Sequence, residues 1–242
     1  VRRERSDARV LVVGVGGLGC PALLALVSAG VRHVIVCDDD VVDRSNLHRQ
    51  ILFDDADVGT PKLEAAAWAL RARAPAVEVE RHDGRFLPGN AVDLARRADV
   101  VVEGSDNFAT KFLASDACAV AGVPVVHASA VRWVGTTMAV SPGGRPCYRC
   151  LFEDVPRGDA PNCAEAGVMG PVVGVIAAAQ ADLALALLED RPVGGTLVTF
   201  DGRTGAMRRR PVPPRHDCPL CGIHPRIREI DPASYVSEDC AT

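Results

Sequence analysis

Residues 9–14, R-V-L-V-V-G, form an unbroken apolar run, the pattern of a strand buried on both faces of a parallel sheet. Gly16-Gly17-Leu18-Gly19 follows, and then an alanine- and leucine-rich stretch to Ala29 that predicts a helix stopped by Gly30. The same alternation recurs downstream. Residues 33–37 predict a second strand, ending at Asp38-Asp39-Asp40. Pro61 opens a helix predicted through Ala74, and Pro75 ends it. Further strands are predicted at 77–81, 98–103 and 124–128, with a helix over 108–121 between the last two. Strand and helix in alternation predict an α/β fold, a Rossmann-like, doubly wound, mostly parallel sheet with right-handed crossovers.

The second half changes character. Residues 131–140, 196–200 and 206–210 predict antiparallel strands that extend the sheet. Between them lie a segment bearing proline and glycine, 153–167, and a long apolar helix over about 172–188. The expected organisation is one domain over 1–230, with a nucleotide-binding part at about 9–130 and a second part at about 131–222. Residues 231–242 have no clear period and are expected to be a flexible tail.

Composition narrows the function. A chain of 242 residues with 48% hydrophobic and 24% charged residues buries a full core without disulfides. A net charge of −4 argues against general nucleic-acid binding. No run reaches the roughly 18 to 20 consecutive apolar residues of a membrane span, and Val1-Arg2-Arg3-Glu4-Arg5 has no apolar signal region. A cytoplasmic protein with no membrane role is expected. Of 27 basic residues only Lys62 and Lys111 are lysine, which singles both out.

Gly14-Val15-Gly16-Gly17-Leu18-Gly19 lies between a predicted strand and a predicted helix. There the glycines allow a tight turn and close approach to a phosphate facing the helix N-terminus. Asp38, at the end of the next strand, is placed to accept hydrogen bonds from a ribose. These features indicate a nucleotide, and NAD and ATP fit them equally.

Further motifs follow in order: Ser45-Asn46-Leu47-His48-Arg49-Gln50, Gly59-Thr60-Pro61-Lys62, Gly104-Ser105-Asp106-Asn107, Pro146-Cys147-Tyr148-Arg149-Cys150, Cys163-Ala164-Glu165-Ala166-Gly167 and Cys218-Pro219-Leu220-Cys221-Gly222. Together, over roughly residues 9–222, they resemble the ThiF/MoeB family of sulfur-carrier adenylyltransferases, relatives of the ubiquitin-activating enzymes. The resemblance implies attack by a carrier's C-terminal Gly-Gly carboxylate on the α-phosphorus of ATP, and a homodimer. Thiazole and molybdopterin pathways use closely similar enzymes.

The implied nucleotide site comprises Gly14, Gly16, Gly17, Gly19, Asp38, Asp40, Asn46, Arg49, Gln50, Lys62, Asp106 and Asn107. Physical chemistry agrees with it. A carboxylate is already ionised at neutral pH, so the site needs no general base; it must overcome repulsion between anions. Arg49 can fork onto phosphate oxygens, Lys62 supplies a point charge and Asn46 a neutral donor. Asp106 is implied to hold Mg²⁺; it also precedes a predicted helix and could cap it.

The cysteines divide by spacing. Cys147-x-x-Cys150 and Cys218-x-x-Cys221 predict a closed Zn²⁺ site of four thiolates, with a redox role as the less fitting alternative. Cys163 falls in the irregular segment, at a family position that is a covalent nucleophile in some members and dispensable in others. Cys20, Cys37 and Cys118 read as small core residues.

Two departures from the pattern stand out. The family's N-terminal segment carries an arginine that reaches the partner protomer's ATP site, whereas about eight residues precede the first strand here, with Arg2, Arg3 or Arg5 as candidate substitutes. The family's arginine after Asp-Asn corresponds to Lys111, which keeps the charge and loses the fork. With no rhodanese-like stretch following, a sulfurtransferase partner or Cys163 is expected to deliver sulfur. An NAD-dependent oxidoreductase, a non-catalytic carrier-binding member and a tRNA-modifying dehydratase are the competing readings.

Overall fold

The computed structural model describes residues 4–154 and 167–235. Eight strands form a single sheet in the order β3-β2-β1-β4-β5-β6-β7-β8. They are β1 (Arg9–Val13), β2 (His33–Asp38), β3 (Glu78–Asp83), β4 (Val100–Glu103), β5 (Val125–Val131), β6 (Val134–Val140), β7 (Thr196–Asp201) and β8 (Ala206–Pro211). The first five are parallel to their neighbours, and β6 to β8 continue antiparallel. The helices are α1 (Gly19–Ser28), α2 (Lys62–Arg73), α3 (Ala91–Arg96), α4 (Phe108–Ala121), α5 (Tyr148–Leu151) and α6 (Gly170–Leu188).

The continuous apolar run of β1 has the predicted consequence. Val10 and Val12 enter one core with Leu23 and Leu26 of α1 and Ile176 and Leu183 of α6. Leu11 and Val13 enter the other with Ile35, Leu94, Phe112 and Leu113. Both faces of the parallel half are therefore covered. Helix α6 is long and apolar enough to cross a bilayer, although Gln180 and Asp182 interrupt its apolar run. It is spent as the core helix over β4 to β7, with Gln180 fully buried.

The predicted strand over 131–140 divides. β5 runs to Val131, Arg132 adopts φ 53, and Trp133 leads into β6, so a two-residue loop closes a β-hairpin. Helices α3 and α5 were not predicted. The expected flexible tail is docked over its first part: Pro232–Tyr235 forms a turn of 3₁₀ helix, and Tyr235 is buried with its hydroxyl donating to Asp116 Oδ2 at 2.7 Å.

Candidate functional site

β1, β2 and β4 end side by side, and the order of the sheet reverses between β1 and β4, the place where open α/β sheets bind ligands. Gly14, at φ +86, turns the chain out of β1. A Cβ on Gly19 would sit 1.9 Å from the Gly14 carbonyl oxygen, so only glycine allows the loop to close this tightly. A Cβ on Gly14 would come within 3.3 Å of Gly104 and the Ser105 nitrogen, which brings the turn after β4 against the glycine loop. No side chain caps α1 and its first turn holds no acid, so its N-terminus is left for an anion.

Two of the acids at the end of β2 hold this framework. Asp38 Oδ2 accepts the Val15 N–H at 2.6 Å, and Oδ1 accepts the Asp40 N–H at 2.9 Å. Burial pushes the Asp38 carboxyl up from its ordinary range, with Lys62 opposing. Asp40 receives Lys62, whose Nζ donates to Oδ2 at 2.6 Å and whose backbone N–H donates to the Asp40 carbonyl at 2.9 Å. Asp38, Asp39 and Asp40 also bring their carboxylate oxygens within 4.8 Å of one another.

The segment 44–50 lies over the same loop. The Cγ and Cδ of Arg49 would be 3.1 Å from a Cβ on Gly17, and Gln50 Nε2 is 4.0 Å from the Cβ position of Gly16. Gln50 is buried, and its Oε1 has no hydrogen-bond partner among the described residues. Asn46 begins the turn: its carbonyl accepts the N–H groups of Arg49 and Gln50. A Cβ on Gly170 would lie 2.7 Å from the His48 carbonyl, so the N-terminus of α6 abuts this segment.

Asp106 and Asn107 exchange the expected structural role. The cap of α4 is Asn107, whose Oδ1 accepts the Thr110 N–H at 2.8 Å. This corrects the capping alternative for Asp106, which is exposed and makes no side-chain hydrogen bond or ion pair among the described residues. Lys111 keeps the charge of the family's arginine but spends it inside the fold. It is buried, donating to Glu103 Oε2 at 2.9 Å, Oε1 at 3.3 Å and the Ala128 carbonyl at 2.5 Å, so it does not stand in as a free phosphate ligand.

Glu103 gathers the donors around it. Burial would raise its carboxyl, but Lys111 and His127 outweigh burial and hold it down at about 2. His127 is pushed down from its ordinary range by burial, with Glu103 opposing; its Nδ1 lies 3.2 Å from Glu103 Oε2 and its Nε2 has no partner among the described residues. The imidazole packs against the Tyr148 ring, centroids 4.6 Å apart, at the base of a pit lined also by Ser129, Met138, Phe152 and Leu197.

The four zinc-motif cysteines converge. Cys147 and Cys218 Sγ atoms are 3.4 Å apart, Cys150 and Cys221 3.3 Å, and Cys147 and Cys150 4.0 Å. Tetrahedral coordination at the usual Zn–S length of about 2.3 Å separates sulfurs by roughly 3.8 Å, so the donor set fits zinc in type, number and spacing. The Arg215 N–H donates to Cys150 Sγ at 3.3 Å, as outer donors to a thiolate do. Cys20 and Cys37 are buried thiols pushed up to about 12 by that burial, in keeping with core roles. Cys163 lies outside the described residues, as do Arg2 and Arg3. Arg5 is engaged within its own chain, where Nε donates to Glu189 Oε1 at 2.9 Å.

A glycine loop, two cations, an exposed acid after β4 and a Cys₄ cluster thus share one sheet. The profile of the ThiF family matches residues 2–220. This chain belongs to the ThiF family. It is 42% identical over 238 residues to the SAMP-activating enzyme E1 of Haloferax volcanii, covering 97% of this chain and 87% of that protein. It is also 42% identical to the sulfur carrier protein adenylyltransferase of Thermus thermophilus, covering 92% and 85%. Against the adenylyltransferase and sulfurtransferase MOCS3 of Sus scrofa it is 43% identical, covering 93% of this chain and 50% of the longer relative. Among solved structures, E. coli MccB shares the fold at a TM-score of 0.80 and 22% identity, over 91% of this chain and 66% of that one.

Membership of the ThiF family gives the 44–62 segment a context that a nicotinamide oxidoreductase lacks. Sequence reasoning missed the Asp116–Arg149–Tyr235 cluster. Arg149, between the first two zinc cysteines, forks onto Asp116 through Nε at 3.0 Å and Nη2 at 2.8 Å, and reaches Asp154 at 3.0 Å. Its guanidinium lies 4.8 Å from the Phe112 ring centroid. An arginine inside C-x-x-C is a signal only once its acid, on α4, is known to face it.

Proposed function

We propose that this ThiF-family chain is an ATP-dependent adenylyltransferase acting on the C-terminal glycine carboxylate of a small ubiquitin-like sulfur carrier. One observation carries the reading: the glycine loop and bare N-terminus of α1 share the ends of β1, β2 and β4 with Arg49, Lys62 and Asp106. The carrier's carboxylate oxygen attacks the α-phosphorus, the bond to the bridging oxygen breaks, and pyrophosphate leaves with both electrons. No proton moves at the nucleophile, so the side chains act by charge and placement.

In this reading Gly14, Gly16, Gly17 and Gly19 admit the phosphates to the loop, and Asp38 keeps lone pairs for the ribose beyond its two backbone bonds. Lys62 exchanges Asp40 for a phosphate oxygen, and Arg49 forks onto the same group. Asn46 donates, the buried Gln50 turns its amide to the nucleotide, and Asn107 contributes its NH₂ while its oxygen holds the cap. Asp106 would hold Mg²⁺, which when bound would shield the phosphate charge. Zinc, held by Cys147, Cys150, Cys218 and Cys221, clips the C-terminal segment to α5 and contributes stability.

The open face of β5 to β8, with its pit at His127 and Tyr148, is the proposed seat of the carrier and its extended tail. Thiazole- and molybdopterin-type carriers both fit, and the acyl carbon of the adenylate would then accept a sulfur nucleophile, from a sulfurtransferase partner or from the Cys163 thiolate, as AMP leaves. A cytoplasmic setting would keep the thiolates reduced. A symmetric dimer would cover exposed Val41, Ile51 and Val58, which precede Lys62 in the chain.

The test is intact-mass analysis of candidate Gly-Gly carriers after incubation with this protein, ATP and Mg²⁺. One carrier gaining an AMP group supports the reading; unmodified carriers alongside tight ATP binding would indicate a carrier-binding member without catalysis.

A further inference from the structure

The proposed reaction gives Asp106 a task without saying what aims it. Its own side chain makes no polar contact among the described residues, and it sits in a turn of four residues between β4 and α4. That turn is held from beneath. Glu103 Oε1 accepts the Ser105 N–H at 2.7 Å and the Ser105 hydroxyl as well. Oε2 of the same carboxylate takes Lys111, from the second turn of α4, and His127 of β5. Lys111 is anchored in turn on the Ala128 carbonyl, and Gln180 of α6 donates to the carbonyls of Glu103 and Val126 at 2.7 and 2.8 Å.

The turn, α4 and β5 thus converge on one buried carboxylate, while α6 holds the backbone carbonyl of the same residue, and the outward contacts of that carboxylate go to the residue immediately before Asp106. A buried ion pair is weak support for stability, since apolar residues of similar size often serve as well. Its retention beside an exposed functional acid suggests another use. We infer that Lys111 and Glu103 are positioning residues that fix the Ser105–Asp106 turn, and so the direction from which Asp106 meets the metal bound to ATP. The inference rests on the adenylation reading. It explains how Lys111 serves the reaction without touching the nucleotide: the charge is spent on Glu103, and a fork is not needed.

The experiment measures ATP affinity by calorimetry across a Mg²⁺ series, together with amide exchange at 104–107, in the full chain. Variants are Lys111→Met, the neutral pair Glu103→Gln with Lys111→Met, Ser105→Ala and Asp106→Asn. A misplacement of about 1 Å can cost on the order of 100-fold. The expected result is that Lys111→Met and the neutral pair raise the Mg²⁺ concentration for half-maximal enhancement by roughly 10- to 100-fold. Amide protection at Ser105 should fall with it, while ATP affinity without metal holds. Ser105→Ala should give a smaller shift in the same direction.

If Lys111→Met does not fold, the neutral pair, which leaves no unpaired buried charge, carries the test. A folded neutral pair with the wild-type Mg²⁺ dependence and intact Ser105 protection would overturn the inference. An Asp106→Asn variant with normal Mg²⁺ dependence would instead remove the metal assignment itself, so the two failures are distinguishable.

Discussion

The chain's two lysines sit in two regions that differ in one respect. Lys62 meets Asp40 at 2.6 Å, with the lysine buried and the aspartate side chain 66% exposed. Lys111 meets Glu103 at 2.9 Å, with both sealed. When the first pair parts, Asp40 returns to water, and in the proposed reaction a phosphate would take its place beside the buried Lys62. The second cannot part in this way, because either partner left alone would be a charge in the interior. On the proposed reading, similar chemistry gives a ligand in one place and a brace in the other, and solvent access to the acid decides which.

Breaking the braced pair should have the largest effect on folding. Lys111→Met is expected to lose about 3–5 kcal/mol of stability in denaturant unfolding, with most of it regained when Glu103→Gln is added. Lys62→Ala should do the reverse: a smaller loss of stability than Lys111→Met, because the acid left behind is solvated, but a roughly 100- to 1000-fold fall in adenylation rate. Equal behaviour of the two lysines in both assays would erase the distinction.

Acid sharpens the contrast. Glu103 titrates near 2 in the folded chain against an ordinary value of 4.5, so its contribution is fully present above that ordinary value and is lost as pH falls from it towards 2. In unfolding experiments the stability advantage of wild type over Glu103→Gln should accordingly shrink across that window. An advantage unchanged down to pH 2 would mean the carboxylate is not held by its partners. The smallest effect is expected at the docked C-terminal turn, where Tyr235→Phe removes the bond to Asp116 and should cost about 0.5–1.5 kcal/mol.

The parallel half was legible in sequence because its signals are local. The apolar run of β1, the glycines after it and the acids ending β2 each carry their meaning within a few residues. The hairpin was not, because 131–134 (V-R-W-V) holds no glycine, proline or asparagine to mark a turn and the reversal depends on a left-handed Arg132. Asp106 and Asn107 both suit a helix cap, and only the backbone shows that Asn107 takes it. The remaining features depend on distance along the chain. Tyr235 finds Asp116 across 119 positions, and Glu103 finds Ser105, Lys111 and His127 on three different elements. The four-cysteine cluster is the instructive exception: Cys147 and Cys218 are 71 residues apart, yet each C-x-x-C pair announces its need for a second.

The most direct measurement is exchange of labelled pyrophosphate into ATP, with Mg²⁺ and a Gly-Gly carrier, for wild type and Lys62→Ala. Carrier-dependent exchange that falls at least roughly 100-fold in the variant is the predicted result. Exchange that is indifferent to the carrier, or that survives intact without Lys62, would contradict the account.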